Sequence, residues 1–464
     1  MPSAFFGLDV ALRALRAQQK AVDVTSHNIA NANTPGYSRQ VASMTTTSPY
    51  TVPAMGRDPS AGQLGTGVVV ASVSRARDSF VDYQLRNELS AQGQWEAARD
   101  SLKQVEAIFN EPSTSGLNTL LGRFWQSWQE LANSPTDAAV RANLIEQANA
   151  LATAITYNYQ QMRQLQQDLD RQIGLTVEEI NTIAARLATL NAQVAQVELT
   201  GQRANDLADQ RDLLLDQLTK LTRVTTAVSP NGMVQVFLGN RLLVDGTTAH
   251  SLRVAPVGPG SFYEVQWANG DPTSVSGGKL KGLLDQRDVA LPQFMADLDG
   301  LAADLIDAVN GVHSAGFGLD DPGPASPGRS FFSGSGAADI AVAVEVATDP
   351  RKIAAAAQPN APGDGSQALA LAEALKTSGL DGKYQSLVAK LGVQVRAAAE
   401  TVDNQNVLVR HLRRRREALS GVSLDEETVN MLKYQQAYEA AARVITAVDQ
   451  MLDTLINRTG VVGR

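Results

Sequence analysis

Small and apolar residues recur alternately three and four positions apart along residues 1–33, which predicts one long amphipathic helix. The large apolar members of this stripe are Leu8, Leu15, Val22 and Ile29. Pro35-Gly36 predicts where the helix ends. At ~1.5 Å per residue the helix is about 45 Å long, and no neighbouring segment can cover its stripe. The helix therefore requires a partner from elsewhere in the chain or from another molecule.

The other end of the chain carries a matching stripe with the same alternation. Its members are Met431, Tyr434, Tyr438, Ile445, Val448, Leu452 and Leu455. Ser423 is the predicted N-cap of this second helix, and Glu426 three residues later completes a capping box. We interpret Asp425-Glu426-Glu427 as part of this cap rather than as a metal or general-acid cluster. Exposed heptad stripes are interaction sites, so the two ends are expected to pair with each other or to be completed by other copies.

Period-two alternation marks a few strands between the two ends. The predicted strands lie at Val68–Val73, Met233–Leu238, Tyr263–Trp267 and Asp339–Ala347. The predicted fold class is mainly α, with long terminal coiled-coil helices, a discontinuous helical-bundle middle domain and a small inserted β domain. The predicted segments are an N-terminal coiled-coil helix (1–35) that pairs with a C-terminal one (424–464), a loop and short-strand linker (36–80), a helical middle domain in two parts (81–223 and 282–423) and the β insertion (224–281).

The composition restricts the classes of function. The 464 residues are 44% hydrophobic, and 40 Lys and Arg against 48 Asp and Glu give a net charge of −8, which argues against a general nucleic-acid or anionic-membrane binder. No apolar run reaches the roughly 18 residues of a transmembrane helix. The absence of cysteine excludes disulfides, Cys-ligated zinc and thiol nucleophiles. The N-terminus lacks the basic and apolar regions of a secretory signal.

The sequence holds none of the common catalytic, phosphate-binding or metal-binding motifs. The histidines are isolated from one another and are interpreted as solvated or structural: His27, His250, His313 and His411. Arg413–Arg416 lacks the interleaved aromatic residues of a nucleic-acid site and is interpreted as a solvated helix face or an inter-subunit ion pair. We therefore predict no catalytic residue, no cofactor and no metal site, and a protein that is not an enzyme.

A recognisable motif lies at the end of the first predicted helix. Residues 26–37, SHNIANANTPGY, resemble the N-terminal motif of the bacterial flagellar axial proteins, which include rod, hook and hook-associated proteins. The motif positions are Asn28, Asn31, Asn33, Pro35, Gly36 and Tyr37. The three asparagine amides either bond exposed carbonyls or neighbouring subunits, or they accompany simple helix termination. The sequence leaves both interpretations open.

Two further segments, 205–215 and 420–445, resemble the hook-associated members of that family. The resemblance implies a structural adaptor that assembles at the distal end of the hook and forms the hook–filament junction on which filament growth depends. The alternative is a flagellar hook or rod subunit, which the segment 205–215 and the long helical middle disfavour. An enzyme and a cytoplasmic coiled-coil scaffold are the alternatives from other classes.

The resemblance also implies where the protein works and what it contacts. Family members are exported by the flagellar type III apparatus without a cleaved signal peptide and act outside the cell, in the flagellum. The implied partners are further copies in a ring-like assembly, the hook protein below, the second junction protein above and a cytoplasmic export chaperone on the C-terminal helix. Neither nucleic acid nor membrane insertion is expected. A masking partner is also expected physically, because an exposed apolar stripe would aggregate.

Overall fold

Long helices dominate the computed structural model, which confirms the mainly α fold class. The structure describes residues 5–49, 64–256, 258, 261–321, 323 and 325–458. The outer ends of the two predicted terminal helices, 1–4 and 459–464, and residues 50–63 of the predicted linker lie outside the described residues. Within the described ranges, no helix is both long and apolar enough to cross a membrane.

The helices follow the heptad-like apolar pattern of the sequence. They are α1 (Phe6–Ala30), α2 (Ser79–Phe109), α3 (Leu117–Asn133), α4 (Ala138–Glu198), α5 (Asn205–Leu221), α6 (Gly278–Asp285), α7 (Leu291–His313), α8 (Val344–Thr348), α9 (Ser366–Thr377), α10 (Leu380–Ser420) and α11 (Leu424–Asp453). The helix α4 is 61 residues long. Its Ile173, Ile180, Leu187 and Val194 recur every seventh position and are all buried, so one stripe sustains this length.

The strands form small antiparallel sheets. They are β1 (Gln40–Thr46), β2 (Val68–Arg75), β3 (Thr225–Val228), β4 (Val234–Leu238), β5 (Arg241–Asp245), β6 (Thr248–Ala249), β7 (Leu252–Pro256), β8 (Tyr263–Trp267), β9 (Phe332–Ser333) and β10 (Ala341–Val342). The pairings are β1 with β2, β7 with β8, β9 with β10, and a four-stranded sheet in the order β3-β4-β5-β6. Three of the predicted strands are therefore observed, as β2, β4 and β8.

The strand predicted at Asp339–Ala347 is wrong for most of its length. Only Ala341–Val342 pairs with another strand, and α8 begins at Val344. The Asp339 carboxylate accepts hydrogen bonds from the backbone N–H groups of Ser335 (2.8 Å) and Gly336 (3.0 Å). These bonds close a turn, so the chain is not extended before residue 341. Alternating Ala and Val residues do not by themselves separate a short strand from a short helix.

The chain divides into two compact units, with boundaries inside α2, α4 and α10. The first unit comprises Met1–Leu89, Ile180–Ser251 and Val407–Arg464, and the second comprises Ser90–Glu179 and Leu252–Asn406. The sheet β3–β6 belongs to the first unit, whereas β7 and β8 belong to the second. The strands of the predicted β insertion 224–281 are thus shared between the units. The domain boundaries predicted from the sequence stay a proposal.

Buried polar side chains tie each of these sheets to its own unit. In the first unit, Asn191 of α4 donates to the Val234 carbonyl (2.8 Å) and accepts from the Val234 N–H (3.0 Å). In the second unit, Asp170 accepts from the Tyr263 N–H (2.9 Å). The Arg287 guanidinium there bonds both the Asp170 carboxylate (2.5 Å) and the Tyr263 carbonyl (2.7 Å). Such bonds satisfy backbone groups that neither sheet pairs internally, and they fix each sheet to a helix.

The core of the second unit contains an aromatic cluster. Its members are Phe124, Trp128, His313, Phe331 and Phe332, and each is at most 1% exposed. Neighbouring ring centroids lie between 5.0 and 6.3 Å apart in tilted or edge-to-face arrangements. His313 therefore sits in a hydrocarbon environment, as the structural interpretation of the histidines requires.

His313 is held neutral inside this cluster. Its Nε2 accepts a hydrogen bond from the Ala354 N–H (3.0 Å), so Nδ1 carries the proton and donates to the Arg329 carbonyl (2.8 Å). Burial lowers the pKa of His313 to about 4. Protonation would place an unpaired charge in the core and would break the bond from Ala354.

We expect the second unit to lose stability as the pH falls from about 6.5 to about 4. Over that range the unfolded chain binds a proton at His313 and the folded chain does not, which amounts to a loss on the order of 3 kcal/mol. Urea unfolding followed by tryptophan fluorescence measures this unit selectively, because all four tryptophans, Trp95, Trp125, Trp128 and Trp267, belong to it. The variant His313→Gln lacks the titrating group. An equal pH dependence in the two proteins would contradict the expectation.

Candidate assembly site at the chain ends

The side chain of Asn28 is the centre of a buried network in the first unit. It lies in the last turn of α1 and is 1% exposed. Its Nδ2 donates to the Gln40 carbonyl (2.9 Å) and to Oε2 of Glu427 (2.8 Å). Its Oδ1 accepts from the Gln40 N–H (2.9 Å) and from the Tyr37 hydroxyl (2.8 Å). All four hydrogen-bonding positions of the amide are used, and one side chain joins α1, β1 and α11.

Glu427, in the first turn of α11, is the acidic member of the network and is 2% exposed. Its Oε1 accepts from Nε of Arg39 (2.8 Å), while its Oε2 accepts from Asn28. The neighbouring Glu426 accepts from Nη1 of Arg39 (3.1 Å). Ser423 caps α11 as predicted, by accepting from the Glu426 N–H (3.4 Å). The interpretation of the acidic turn as a cap alone is therefore incomplete, because two of its carboxylates bind Arg39.

The helix α1 ends at Ala30, three residues before the predicted end. Both the backbone N–H (3.1 Å) and the side-chain Nδ2 (3.0 Å) of Asn31 donate to the His27 carbonyl. The Thr34 hydroxyl then donates to Oδ1 of Asn31 (3.1 Å), which closes a turn. The Asn31 side chain thus adds a second hydrogen bond to a carbonyl that the last helical N–H already bonds, and the chain leaves the helix at this point.

Of the remaining motif residues, Gly36 and Tyr37 contact other residues, whereas Asn33 and Pro35 lie at the surface. Gly36 has a φ of +82°, and a Cβ on it would lie 3.3 Å from Cβ of Leu213, so glycine is required both for the turn and for the approach to α5. Asn33 and Pro35 are exposed. Tyr37 is half-buried and packs edge-on against His27, with 5.5 Å between ring centroids. Whether the motif also contacts neighbouring subunits stays a prediction.

One face of α5 carries a row of four aspartates at three- and four-residue spacing. They are Asp206, Asp209, Asp212 and Asp216. The last three face the guanidinium groups of Arg75, Arg77, Arg86 and Arg416, whereas Asp206 bonds His27 and Gln40. Arg75 lies 2.8 Å from Asp209 and 2.7 Å from Asp212. Asp209 also accepts from the N–H and the hydroxyl of Ser38, each at 2.7 Å. This row, the α5 acidic face, therefore holds β2, α2, α10 and the segment after the motif.

Both partners of this network stay charged at neutral pH. Burial by itself raises the pKa of Asp212, but the guanidinium groups of Arg77, Arg75 and Arg86 outweigh it and lower that pKa to about 2. Burial disfavours the charge of Arg77 as well, yet Asp212 and Asp82 raise its pKa. Each buried charge has several opposite neighbours, which offsets the cost of removing it from water.

Tyr37 adjoins these charges and is affected by them. Burial raises the pKa of its hydroxyl, and the carboxylates of Asp206, Asp209 and Glu427 raise it further. The hydroxyl therefore stays protonated at neutral pH, where it is the donor to Asn28.

The helices α1 and α11 pack side by side and run antiparallel. Asn28 bonds Glu427 at one end of the pair, and a Cβ on Gly7 would lie 3.8 Å from Cγ2 of Val448 at the other. The fully buried residues of this pair are mainly small ones: Ala11, Ala17, Ala21, Val24, Thr25 and Asn28 on α1, with Glu427 and Ala441 on α11. The hairpin β1–β2 packs on α1 as well, so α1 lies against two elements.

The apolar stripe residues predicted from the sequence, here called the seam, flank the buried line of small residues instead of forming it. The partly buried ones are Leu8, Leu15, Val22 and Ile29 on α1 and Met431, Tyr434, Tyr438, Ile445, Val448 and Leu452 on α11. Leu455, which follows α11, is 59% exposed. Phe5, Leu12, Leu432, Val444 and Met451 are exposed too. Pairing of the two ends therefore leaves apolar surface on both helices, and the role of the seam in binding other copies stays a prediction.

Sequence reasoning missed the residues that bind the motif. Arg39 and Gln40 follow it directly, but their partners on α5 and α11 are distant in sequence. The three- and four-residue spacing of the aspartates in 205–216 is a signal that could have identified α5 as a charged docking face. Arginines at 75 and 77, at the end of a predicted strand, are the complementary signal.

The groups of this site join segments and do not form a reaction centre. Its charges are paired, and its central amide is saturated with hydrogen bonds. Among the residues that the structure describes, no three His, Asp or Glu side chains are arranged to hold a metal ion. The chemistry available is directional binding between the first and last helices and the segments beside them.

Comparison with known families matches three parts of the chain. Residues 102–332 match the model described as flagellar hook-associated protein FlgK helical domain. Residues 417–458 match the flagellar basal body rod FlgEFG protein C-terminal model, and residues 8–37 match the flagella basal body rod protein model. The last two ranges contain α11 and the motif segment, which are the parts that the buried network joins.

Curated relatives match over nearly the whole chain. The flagellar hook-associated protein 1 of Bacillus subtilis is 33% identical and is covered, like this chain, over 100% of its length. That of Escherichia coli is 27% identical over 96% of this chain and 98% of its own. A solved flagellar hook junction protein from Burkholderia pseudomallei aligns over 54% of this chain and 46% of its own, with 27% identity and a TM-score of 0.48.

We expect Asp212→Asn to destabilise the first unit by about 3 kcal/mol, because it leaves buried guanidinium groups without their shared carboxylate. The second unit should be unaffected. Hydrogen exchange at the α5 amides reports the first unit, and tryptophan fluorescence reports the second. Asp23→Asn, at an exposed position on α1, is the matched control and should leave α5 protection unchanged. Unchanged α5 protection in Asp212→Asn would refute a stabilising role for the α5 acidic face.

Proposed function

This chain belongs to the family of flagellar hook-associated protein 1, and on that premise we propose that it is a structural adaptor of the bacterial flagellum. It assembles at the distal end of the hook and forms the hook–filament junction on which filament growth depends. The observation that supports this is the 33% identity to the Bacillus subtilis protein over the full length of both chains.

The helical middle of the chain favours this role over that of a hook or rod subunit. Its two ends resemble rod proteins, so the ends alone do not separate the alternatives. Residues 102–332 match the helical domain of the hook-associated family instead. All five members of the aromatic cluster around Trp128 lie within that region.

The terminal helices supply the surface for assembly. After α1 and α11 pair, their large apolar residues stay partly exposed, and Met451 reaches 64% exposure. An apolar stripe of this kind on a soluble helix pair is a binding surface for further helices. We propose that the same helices of other copies cover it in a ring-like assembly, with the hook protein below and the second junction protein above.

Export imposes a second requirement on these helices. The chain contains no cysteine, so no disulfide hinders the unfolding that passage through the type III apparatus demands. We propose that the protein leaves the cell without a cleaved signal peptide and that a cytoplasmic chaperone masks α11 before export. It acts as a structural component rather than as an enzyme, in the extracellular part of the flagellum.

Electron microscopy of a strain that lacks the gene tests the role. We expect hooks of normal length without filaments, and filament protein lost to the medium. The wild-type gene should restore filaments, whereas Ile445→Asp with Leu452→Asp should not, because two carboxylates on a buried seam are costly. The tryptophan fluorescence of this double variant should match that of the wild type, since the second unit is unchanged.

Matched substitutions separate charge from a change of shape. Ile445→Leu with Leu452→Ile keeps the volume and the apolar character of the seam, so it should support normal filaments. Missing hooks in the deletion strain would move the protein to the rod or hook. Normal filaments from the Asp variant would rule out the seam assignment while leaving the junction role intact.

We also expect removal of residues 428–464 to abolish binding of the export chaperone. Because α1 covers part of α11 in the folded chain, removal of residues 1–27 should leave chaperone binding intact or strengthen it. Titration calorimetry with the purified chaperone measures both. Undiminished binding by the chain that lacks 428–464 would show that the chaperone recognises another segment.

A further inference from the structure

Two contacts at opposite ends of the α1–α11 pair agree on a single register. Gly7 lies beside Val448, and Asn28 bonds Glu427. Both members of the pair advance by 21 residues between these contacts, from 7 to 28 and from 427 to 448. A shift of 21 residues is three heptads, so the two helices keep one alignment over their whole contact.

The apolar residues of the pair do not define that alignment by themselves. The stripe of α11 repeats with heptad spacing through Tyr438, Ile445 and Leu452. On α1 the buried residues are mainly small, with Ala17 at 3% and Ala21 at 1% exposure. A slip by one heptad moves one helix by about 10.5 Å and again places apolar residues opposite apolar residues. Packing therefore discriminates poorly between neighbouring registers.

The polar contact has no equivalent in a slipped register. Glu427 is buried, and its two oxygens bond Asn28 and Arg39. In turn, the Asn28 amide is fixed by the Gln40 backbone and by Tyr37, so it cannot follow α11 to a new position. A slip would leave a buried carboxylate without partners and an amide proton unbonded, both of which are strongly unfavourable.

We propose that the buried pair Asn28–Glu427, supported by Arg39, sets the register in which the first and last helices of this chain pair. Buried polar residues that select one alignment of a coiled coil act in the same way. The inference concerns pairing within one chain, and it does not rest on the proposed role in the flagellum.

Disulfide trapping tests the register directly, because the chain contains no native cysteine. In the full chain, Gly7→Cys is combined with Val448→Cys to report the observed register. The same Gly7→Cys with Ala441→Cys or Leu455→Cys reports a slip of one heptad in either direction. We expect the first pair to form at least ten times faster than the other two under mild oxidation, since only its side chains are adjacent.

The contact between Asn28 and Glu427 is then removed with Glu427→Met, which keeps the side-chain length but cannot bond Asn28 or Arg39. We expect the rate of the 7–448 disulfide to fall several-fold and those of the two slip reporters to rise. The matched control is Glu439→Met, which removes an exposed carboxylate from the same helix and should change none of the three rates.

A second variant exchanges the donor and the acceptor. Asn28→Asp places two carboxylates together and should lower the rate of the 7–448 disulfide. Adding Glu427→Gln restores a donor opposite Asp and should recover part of that rate, although the Gln40 carbonyl still lacks its donor; a general loss of stability would give no recovery.

Two results would overturn the proposal. In the first, the 7–448 pair stays dominant in Glu427→Met, so apolar packing sets the register. In the second, all three disulfides form slowly in Glu427→Met, which would mean that the Asn28–Glu427 pair supplies stability without selecting an alignment.

Discussion

A buried amide whose four hydrogen-bonding positions are all occupied constrains the rest of the first unit. Asn28 has a single arrangement in which the Gln40 backbone, the Tyr37 hydroxyl and the Glu427 carboxylate are satisfied together. Tyr37 and Gln40 belong to the segment after α1 and Glu427 to α11, so any displacement of one segment against the other leaves a polar group unbonded in the protein interior. The start of β1, the end of α1 and the first turn of α11 therefore occupy positions that depend on one another.

The α5 acidic face extends the same constraint by charge. Ser38, which adjoins Tyr37, bonds Asp209, and Asp209 shares Arg75 with Asp212. Buried ion pairs contribute little net stability when compared with well-packed apolar residues, but a missing partner is costly. The network thus selects one arrangement of hairpin and helices more than it strengthens that arrangement. Directional contacts of this kind suit a family of structural flagellar proteins, whose function depends on holding segments in fixed positions.

The sequence was informative wherever one face of a local element is buried. The heptad stripes identified α1 and α11, and alternation identified β2, β4 and β8, because each pattern is set by residues close in sequence. The end of α1 was missed by three residues, since the turn that Asn31 and Thr34 close depends on side-chain hydrogen bonds that an apolar pattern does not reveal.

The candidate site was less predictable than the helices because its contacts are long-range. Glu427 had a sufficient local explanation as part of a helix cap, while its partner Arg39 lies 388 positions away. The aspartates of α5 look like an ordinary solvated face until Arg75 and Arg77 are placed beside them. The motif Asn28–Tyr37 was recognised by resemblance alone, and only the fold gives Asn28, Asn31, Gly36 and Tyr37 their contacts.

The small residues between α1 and α11 have a consequence for how the two ends come apart. Separating alanines uncovers much less hydrocarbon than separating leucines, because the uncovered area sets the penalty. Water can satisfy the amide and the carboxylate as readily as they satisfy each other. Opening the buried line between the two helices is therefore less costly than opening a leucine seam of the same length would be.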